Sequence, residues 1–229
     1  MENRQPGSCL VCELGLVTFP EAMEFEHRLI KLRANDTIDD VLLIFEHPPT
    51  ITLGKFGDRG NILVPPAELA QRGIEFYDSD RGGDATFNCP GQLVIHPIMN
   101  LRYRGARAYV AELEEVGLGV LRDYGIAAER LPQHPGVWVN GKQIGAVGLH
   151  ISHGVSMHGL SLNVNPDLDS FKTINLCGIA GRSATSIENE LGYEVSMSEA
   201  KQRVMSWCSK IFHVDLLSIS KEQLRKLCF

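Results

Sequence analysis

At 229 residues, with 44% hydrophobic and 22% charged side chains, the chain has the composition of an ordinary globular domain with room for one substantial core. Its formal net charge of −6 argues against a main task of binding nucleic acid. The longest apolar runs, such as Val41-Leu42-Leu43-Ile44-Phe45, are too short to cross a bilayer, so no membrane role is expected.

Residues 1 to 8 carry neither an apolar secretory core nor an Arg-rich amphipathic helix, which points to the cytoplasm. Six cysteines, at 9, 12, 89, 177, 208 and 228, then read as reduced thiols rather than a disulfide framework. Cys9 and Cys12 form a C-x-x-C inside an apolar run with no second ligand pair after it. That context suits buried structural thiols better than a zinc or redox site.

In chain order, residues 10 to 18 read as a strand, 20 to 33 as a helix opened by Pro20 with Glu21 in its first turn, and 41 to 46 as a second strand. Strands are also expected at 74 to 77 and 92 to 96. A helix over 108 to 124 gathers Val110, Leu113, Gly117, Val120, Leu121 and Tyr124 on one face and stops at Gly125. Arg102, Arg104 and Arg107 precede it and fit either a solvated helix start or a surface for an acidic partner.

A hairpin follows, with Val137-Trp138-Val139, the turn Asn140-Gly141, and a returning strand from Lys142 to about Ile151. Residues 155 to 164 suit a third strand, and 167 to 174 a short helix leading to Cys177. Ser196 with Glu199 resembles a capping box opening a helix with Val204, Cys208 and Ile211 on one stripe. The expected class is α+β, one domain over 1–229 with 191–229 as a mainly helical C-terminal appendage.

Two blocks carry chemistry. Arg81-Gly82-Gly83-Asp84-Ala85-Thr86-Phe87-Asn88-Cys89-Pro90-Gly91-Gln92 is rich in glycine without being a dinucleotide fingerprint or a phosphate loop. The second runs from His158-Gly159-Leu160-Ser161 to Cys177-Gly178. His158 fits a hydrogen-bonded structural role or a catalytic one. Cys177, in a polar loop beside glycine, is better placed for exposed chemistry than an ordinary buried thiol.

With Glu46-His47-Pro48-Pro49, Gly136-Val137-Trp138-Val139, Ile144-Gly145-Ala146-Val147-Gly148 and Leu162-Asn163 added, these blocks resemble the lipoyl(octanoyl) transferase family in order and spacing over about residues 10 to 190. The resemblance implies the mixed sheet with flanking helices of biotin and lipoate protein ligases. It also implies transfer of an octanoyl group from acyl carrier protein to a lysine of a lipoyl domain or of the glycine-cleavage H protein. Cys177 falls on the acyl-carrying cysteine, while Arg81 to Asn88, Ala146, Val147, Gly148, His158, Gly159, Leu160 and Ser161 fall on substrate-contacting segments. No cofactor or metal is implied. Thioester exchange requires a thiolate, oxyanion donors and an apolar slot, not ATP.

Four positions depart from the family pattern: Asn88 for His, Cys89 for Gly, Leu176 for Pro and Gln143 for Lys. Lys142 lies one position from the expected lysine, and strand alternation turns it away from the pocket unless a bulge after the Asn140-Gly141 turn reverses it. Cys89 is either a harmless replacement or a second thiol able to relay an acyl group or pair with Cys177. The departures leave two other readings: a non-catalytic relative that binds acyl chains or carrier proteins, and an ATP-dependent lipoate or biotin ligase.

Overall fold

The computed structural model describes residues 7–229. Strand β1 (Gly7–Leu16) leads into α1 (Phe19–Ala34), whose N-terminus is capped by Thr18 and carries Pro in its first turn. This Pro has no N–H to lose there. Then come β2 (Asp40–Glu46), β3 (Thr50–Leu53), α2 (Pro66–Gln71), β4 (Glu75–Asp78), β5 (Ala85–Asn88) and β6 (Gln92–Ile98). The long helix α3 (Ala106–Asp123) precedes β7 (Glu129–Leu131), β8 (His134–Val139), β9 (Lys142–Ser152) and β10 (Val155–Asn163). The chain closes with α4 (Ile187–Leu191), α5 (Met197–Phe212), β11 (Val214–Ser218) and α6 (Lys221–Cys228).

Eight strands form one mixed sheet in the order β11-β1-β2-β6-β10-β9-β8-β7, and β4-β3-β5 form a smaller one. Strand β1 runs parallel to β2 and β11, and the remaining neighbours in the large sheet are antiparallel. The central strand β2 is buried along nearly its whole length, as a strand covered on both faces must be. One face meets α3 and α5 through Val11, Leu42, Ile44, Leu113, Val116 and Val204. The other meets α1 and α6 through Leu14, Leu43, Phe45, Phe25, Leu29 and Leu224. A third core, with Ile51, Phe87, Cys89, Phe171 and Leu176, lies under the small sheet.

Cys9 belongs to the first core and Cys12 to the second. Three positions apart on a strand, they face opposite sides of the sheet, so the C-x-x-C is two structural thiols. Within residues 191–229, β11 pairs with β1 at the sheet edge, and α5 packs on α3 through the Gly119 and Trp207 contact. Ser196 accepts from the Glu199 N–H at the start of α5, but the reciprocal capping box belongs to Ser220 and Gln223 at α6.

The β8–β9 turn has Asn140 at φ 49° and Gly141 at φ 77°, the paired left-handed residues a two-residue hairpin needs. Beyond it, Val139 pairs with Lys142 and Trp138 with Gln143, but Val137 pairs with Gly145. Ile144 is therefore the extra residue of a bulge.

Gly119 of α3 sits under the Trp207 indole, where a Cβ would come within 2.3 Å of the ring. Gly119→Ala must tilt that ring and strain the bond from its N–H to Asp123 Oδ2 at 2.8 Å. A loss of about 1–3 kcal/mol is expected, read as a lower urea midpoint with an unchanged m-value.

Candidate active site

Cys177 sits in a single 3₁₀ turn, Leu176–Gly178, with its own backbone left-handed at φ 52° and ψ 29°. A non-glycine residue adopts this conformation only when its surroundings hold it there. Leu176 anchors the turn in the third core. Asn175 ties it to the loop below, its N–H donating to Asn61 O at 2.8 Å and its side chain to Asn61 Oδ1 at 3.1 Å. On the other side, a Cβ on Gly178 would lie 2.7 Å from Asp84 Oδ2. The Cys177 turn is thus pressed directly onto the glycine-rich 81–84 loop.

The group beside the sulfur is Gln143, 4% exposed. Its Nε2 donates to Cys177 Sγ at 3.3 Å, and the thiol reaches Gln143 Oε1 at 3.6 Å. The main chain of Gln143 is locked to the segment after Cys177, its N–H donating to Ser183 O at 3.0 Å and its carbonyl accepting from Thr185 N at 2.9 Å. Lys142 is exposed. The bulge falls at Ile144, past both residues, so it does not exchange them, and Lys142 does not join the site. Burial pushes the Cys177 thiol up, and the Gln143 hydrogen bond and the charge of Arg81 draw it back, while Asp84 opposes them.

From Gln143 a groove runs between the two sheets. Its near chamber is lined by Thr86, Phe87, Gln92, Gln143, Ala146, Ser161 and Leu176. The far chamber shares Thr86, Ala146 and Ser161 and continues past Arg81, Asn88, Gly148 and Gly159 to His96 and His158. Ala146 pairs with Ser161 and Gly148 with Gly159, so same-facing positions of β9 and β10 make the wall. Leu160 also borders the far chamber. Val147, between Ala146 and Gly148, packs into the first core instead.

The other expected contacts are structural. Gly82 donates its N–H to Leu149 O at 2.9 Å, and Gly83 has φ 87°. Asp84 binds Asp58 N at 3.2 Å and Asn61 Nδ2 at 2.9 Å, and Ala85 is fully buried in the third core. Cys89 is buried in that core too, and burial pushes its thiol up to about 12. Enclosed in that core and lining neither chamber of the groove, Cys89 is a structural thiol rather than an acyl relay. Arg102 pairs with Asp36 at 3.1 Å and Arg104 with Glu112 at 3.0 Å, leaving Arg107 alone of that expected basic patch outside these pairs.

The far end of the groove is polar. Glu26 of α1, 0% exposed, accepts from the His158 N–H at 2.9 Å and meets His96 Nδ1 at 2.6 Å. His158 has φ 60° in the middle of β10, and its Nε2 meets Asp80 Oδ1 at 2.8 Å. Burial pushes the Glu26 carboxyl up, but His96 and His158 outweigh it and hold the group at about 2. His47 is drawn down to about 4 by burial. Donor atoms of Glu26, His96 and His158 lie within 4.8 Å of one another. The 2.6 Å contact is nevertheless a hydrogen bond, shorter than the roughly 3.3 Å between ligands around a tetrahedral zinc. The three groups form one hydrogen-bonded cluster.

The sequence matches, over residues 19–209, the family described as the lipoyl protein ligase A/B catalytic domain. The chain belongs to this family. Among relatives of this lipoyl protein ligase A/B family member, an octanoyltransferase of Alkaliphilus metalliredigens (strain QYMF) is 42% identical over 210 residues, 90% of this chain and 96% of that protein. One from Chloroflexus aggregans (strain MD-66 / DSM 9485) is 44% identical over 207 residues, 88% and 94% of the two chains. Lipoate-protein ligase A bound with ATP has a TM-score of 0.76 at 16% identity, covering 98% of this chain and 93% of that one. The bi-partite lipoate protein ligase of Thermoplasma acidophilum has a TM-score of 0.76 at 15% identity, covering 98% and 91%. The expected α+β ligase-like architecture is the one observed.

Sequence reasoning passed over Glu26, although it was the one acid on a helix face shared with Ala22, Phe25, Leu29 and Ile30. It also passed over Thr52, His96 and Asp80, which carry no motif. With Glu26 held at about 2 when folded and near ~4.3 when unfolded, the native state binds fewer protons between those values. Its contribution is present above the upper value and lost as pH falls toward the lower. Glu26→Gln is therefore expected to be less stable than the native sequence at about pH 5.5, with the gap narrowing toward about pH 3. Urea midpoints of both proteins across that range check it; a constant gap contradicts it.

Proposed function

We propose that this family member is an octanoyltransferase in which Cys177 carries the acyl group as a thioester between an octanoyl-acyl carrier protein and a lysine of a lipoyl domain or H protein. The observation that carries the reading is the placement of the Cys177 sulfur, bonded to Gln143, beside a groove walled by Ala146, Gly148, Gly159 and Ser161. The relatives named octanoyltransferase, similar over nearly their whole length, support it.

In the first half-reaction the Cys177 sulfur attacks the thioester carbonyl, the carrier's C–S bond breaks, and the thiol proton ends on the carrier's released sulfur. In the second, a lysine amine attacks the Cys177 thioester, its nitrogen bonds the carbonyl carbon, and Cys177 leaves with one amine proton. The lysine ammonium has lost one proton to water before it attacks, and the amide nitrogen keeps the third. Gln92 Oε1, buried and without a partner among the described residues, borders the near chamber and is the acceptor an incoming amine N–H would meet. The chambers measure about 50 and about 10 Å³, room for a few water-sized bodies, so the walls must part around an acyl chain. Burial at about 0.8 kcal/mol per methylene offsets that opening.

A second reading, a relative that binds acyl chains or carriers without turning them over, is favoured by neutral Gln143 at the sulfur. Incubation with octanoyl-carrier protein followed by intact mass separates the two: the native sequence is expected to gain one octanoyl group, removable by hydroxylamine, and Cys177→Ala none. No adduct on the native sequence, or an equal one on Cys177→Ala, would sink the thioester route. Gln143→Lys should raise the neutral-pH rate of adduct formation about tenfold by lowering the thiol pKa, measured by single-turnover quench. A rate unchanged by the substitution would mean that thiol ionisation does not limit the step.

A further inference from the structure

We infer that the Arg81 guanidinium is the positive partner of the Cys177 sulfur in this chain, filling the electrostatic role for which the neighbouring strand offers only a neutral carboxamide. The inference rests on the proposal that Cys177 carries the acyl group, and it names the charge that readies the thiol.

Arg81 is 7% exposed. A buried cation is costly unless an anion faces it. Its nitrogens meet five oxygens, all neutral: Thr52 O and Oγ1, Gly82 O, Asp84 O and Thr86 Oγ1. The carboxylate of Asp84 is committed elsewhere, accepting from Asp58 N, Asn61 Nδ2 and Ala85 N. No carboxylate pairs with Arg81 among the described residues. The guanidinium is thus held rigidly by dipoles with no carboxylate paired directly to it, the arrangement of a site prepared for an anion that forms during reaction.

The Cys177 turn lies against the Arg81 loop, since Arg81 binds the carbonyl of Asp84 and the Asp84 side chain abuts Gly178. The Arg81 stem lies on β9, where a Cβ on Gly148 would stand 3.0 Å from its Cδ. Cys177 and Asp84 are the acids whose charge Arg81 feels, Cys177 the more strongly. Around the sulfur, Gln143 on β9 is neutral, Lys142 is exposed, and β5 offers Asn88 followed by the un-ionised Cys89. Asp84 works against the thiolate. Arg182, further along the Cys177 segment, is engaged with Gly141 O at 3.0 Å and with the Trp138 ring. Gln143 therefore holds the sulfur by a hydrogen bond, and Arg81 supplies the charge.

The test is the pH profile of Cys177 alkylation by iodoacetamide in the full chain, followed by mass spectrometry of the Cys177 peptide. Arg81→Gln is expected to raise the midpoint by about one pH unit or more and to slow alkylation at neutral pH about tenfold. Arg81→Lys, which keeps the charge, should stay within about half a unit of the native midpoint. An unshifted midpoint in a folded Arg81→Gln protein overturns the inference. If that variant does not fold, Arg81→Met takes its place: a midpoint raised by about a unit or more supports the inference, and a native midpoint overturns it. An Arg81-dependent midpoint in a protein that takes up no octanoyl group overturns the transfer reading alone. Equal adduct formation with matching midpoints in the native and Arg81→Gln proteins overturns this inference alone.

Discussion

The carboxylate of Glu26 is the point on which the large sheet, its covering helix and the floor of the groove all converge. It is completely enclosed, so its charge survives only because His96 on β6 and the main chain of His158 on β10 supply protons to both oxygens. Those bonds fix the rotation of α1 against two strands. They also require β10 to turn its His158 N–H toward the helix, at φ 60°, where Pro97 on the adjacent strand has no N–H of its own to offer. With β10 so turned, Gly159 can lie close to β6, where a Cβ would come within 2.3 Å of Ile95 O. A hydrophobic residue at 26 would pack into the same space and lose the alignment.

The chemistry of Cys177 depends on a second constraint, the contact between two loops from different sheets. Gly178 admits Asp84, Asp84 orders the Asn61 and Ala85 region, and Arg81 gathers Thr52, Thr86 and the carbonyl of Asp84. The small sheet thereby becomes a platform holding one face of the Cys177 turn, while Gln143 holds the other.

Much of the scaffold was legible from pattern. The α3 stripe, the Asn140-Gly141 hairpin and the Pro20 start of α1 depend on local chemistry, which a single sequence displays. Strands β3 and β5 escaped because their pairing joins segments separated by the whole 54–84 excursion, which no local pattern displays. At the site, strand alternation correctly kept Lys142 out of the pocket, and the same rule excludes Val147. What no pattern carried was the company kept by Arg81. That its bonds end on neutral oxygens is a fact of tertiary placement, invisible in Arg81-Gly82-Gly83.

The cysteines divide among the cores. Cys9 and Cys208 lie in the α3 and α5 core, Cys12 in the α1 and α6 core with Cys228 packed against it, and Cys89 under the small sheet. Each layer of the molecule thus holds its own thiol label. Protection of Cys208, Cys12 and Cys89 against a short pulse of alkylating reagent would report the opening of three layers separately, turning an incidental abundance of cysteine into a map of local unfolding without a single engineered residue.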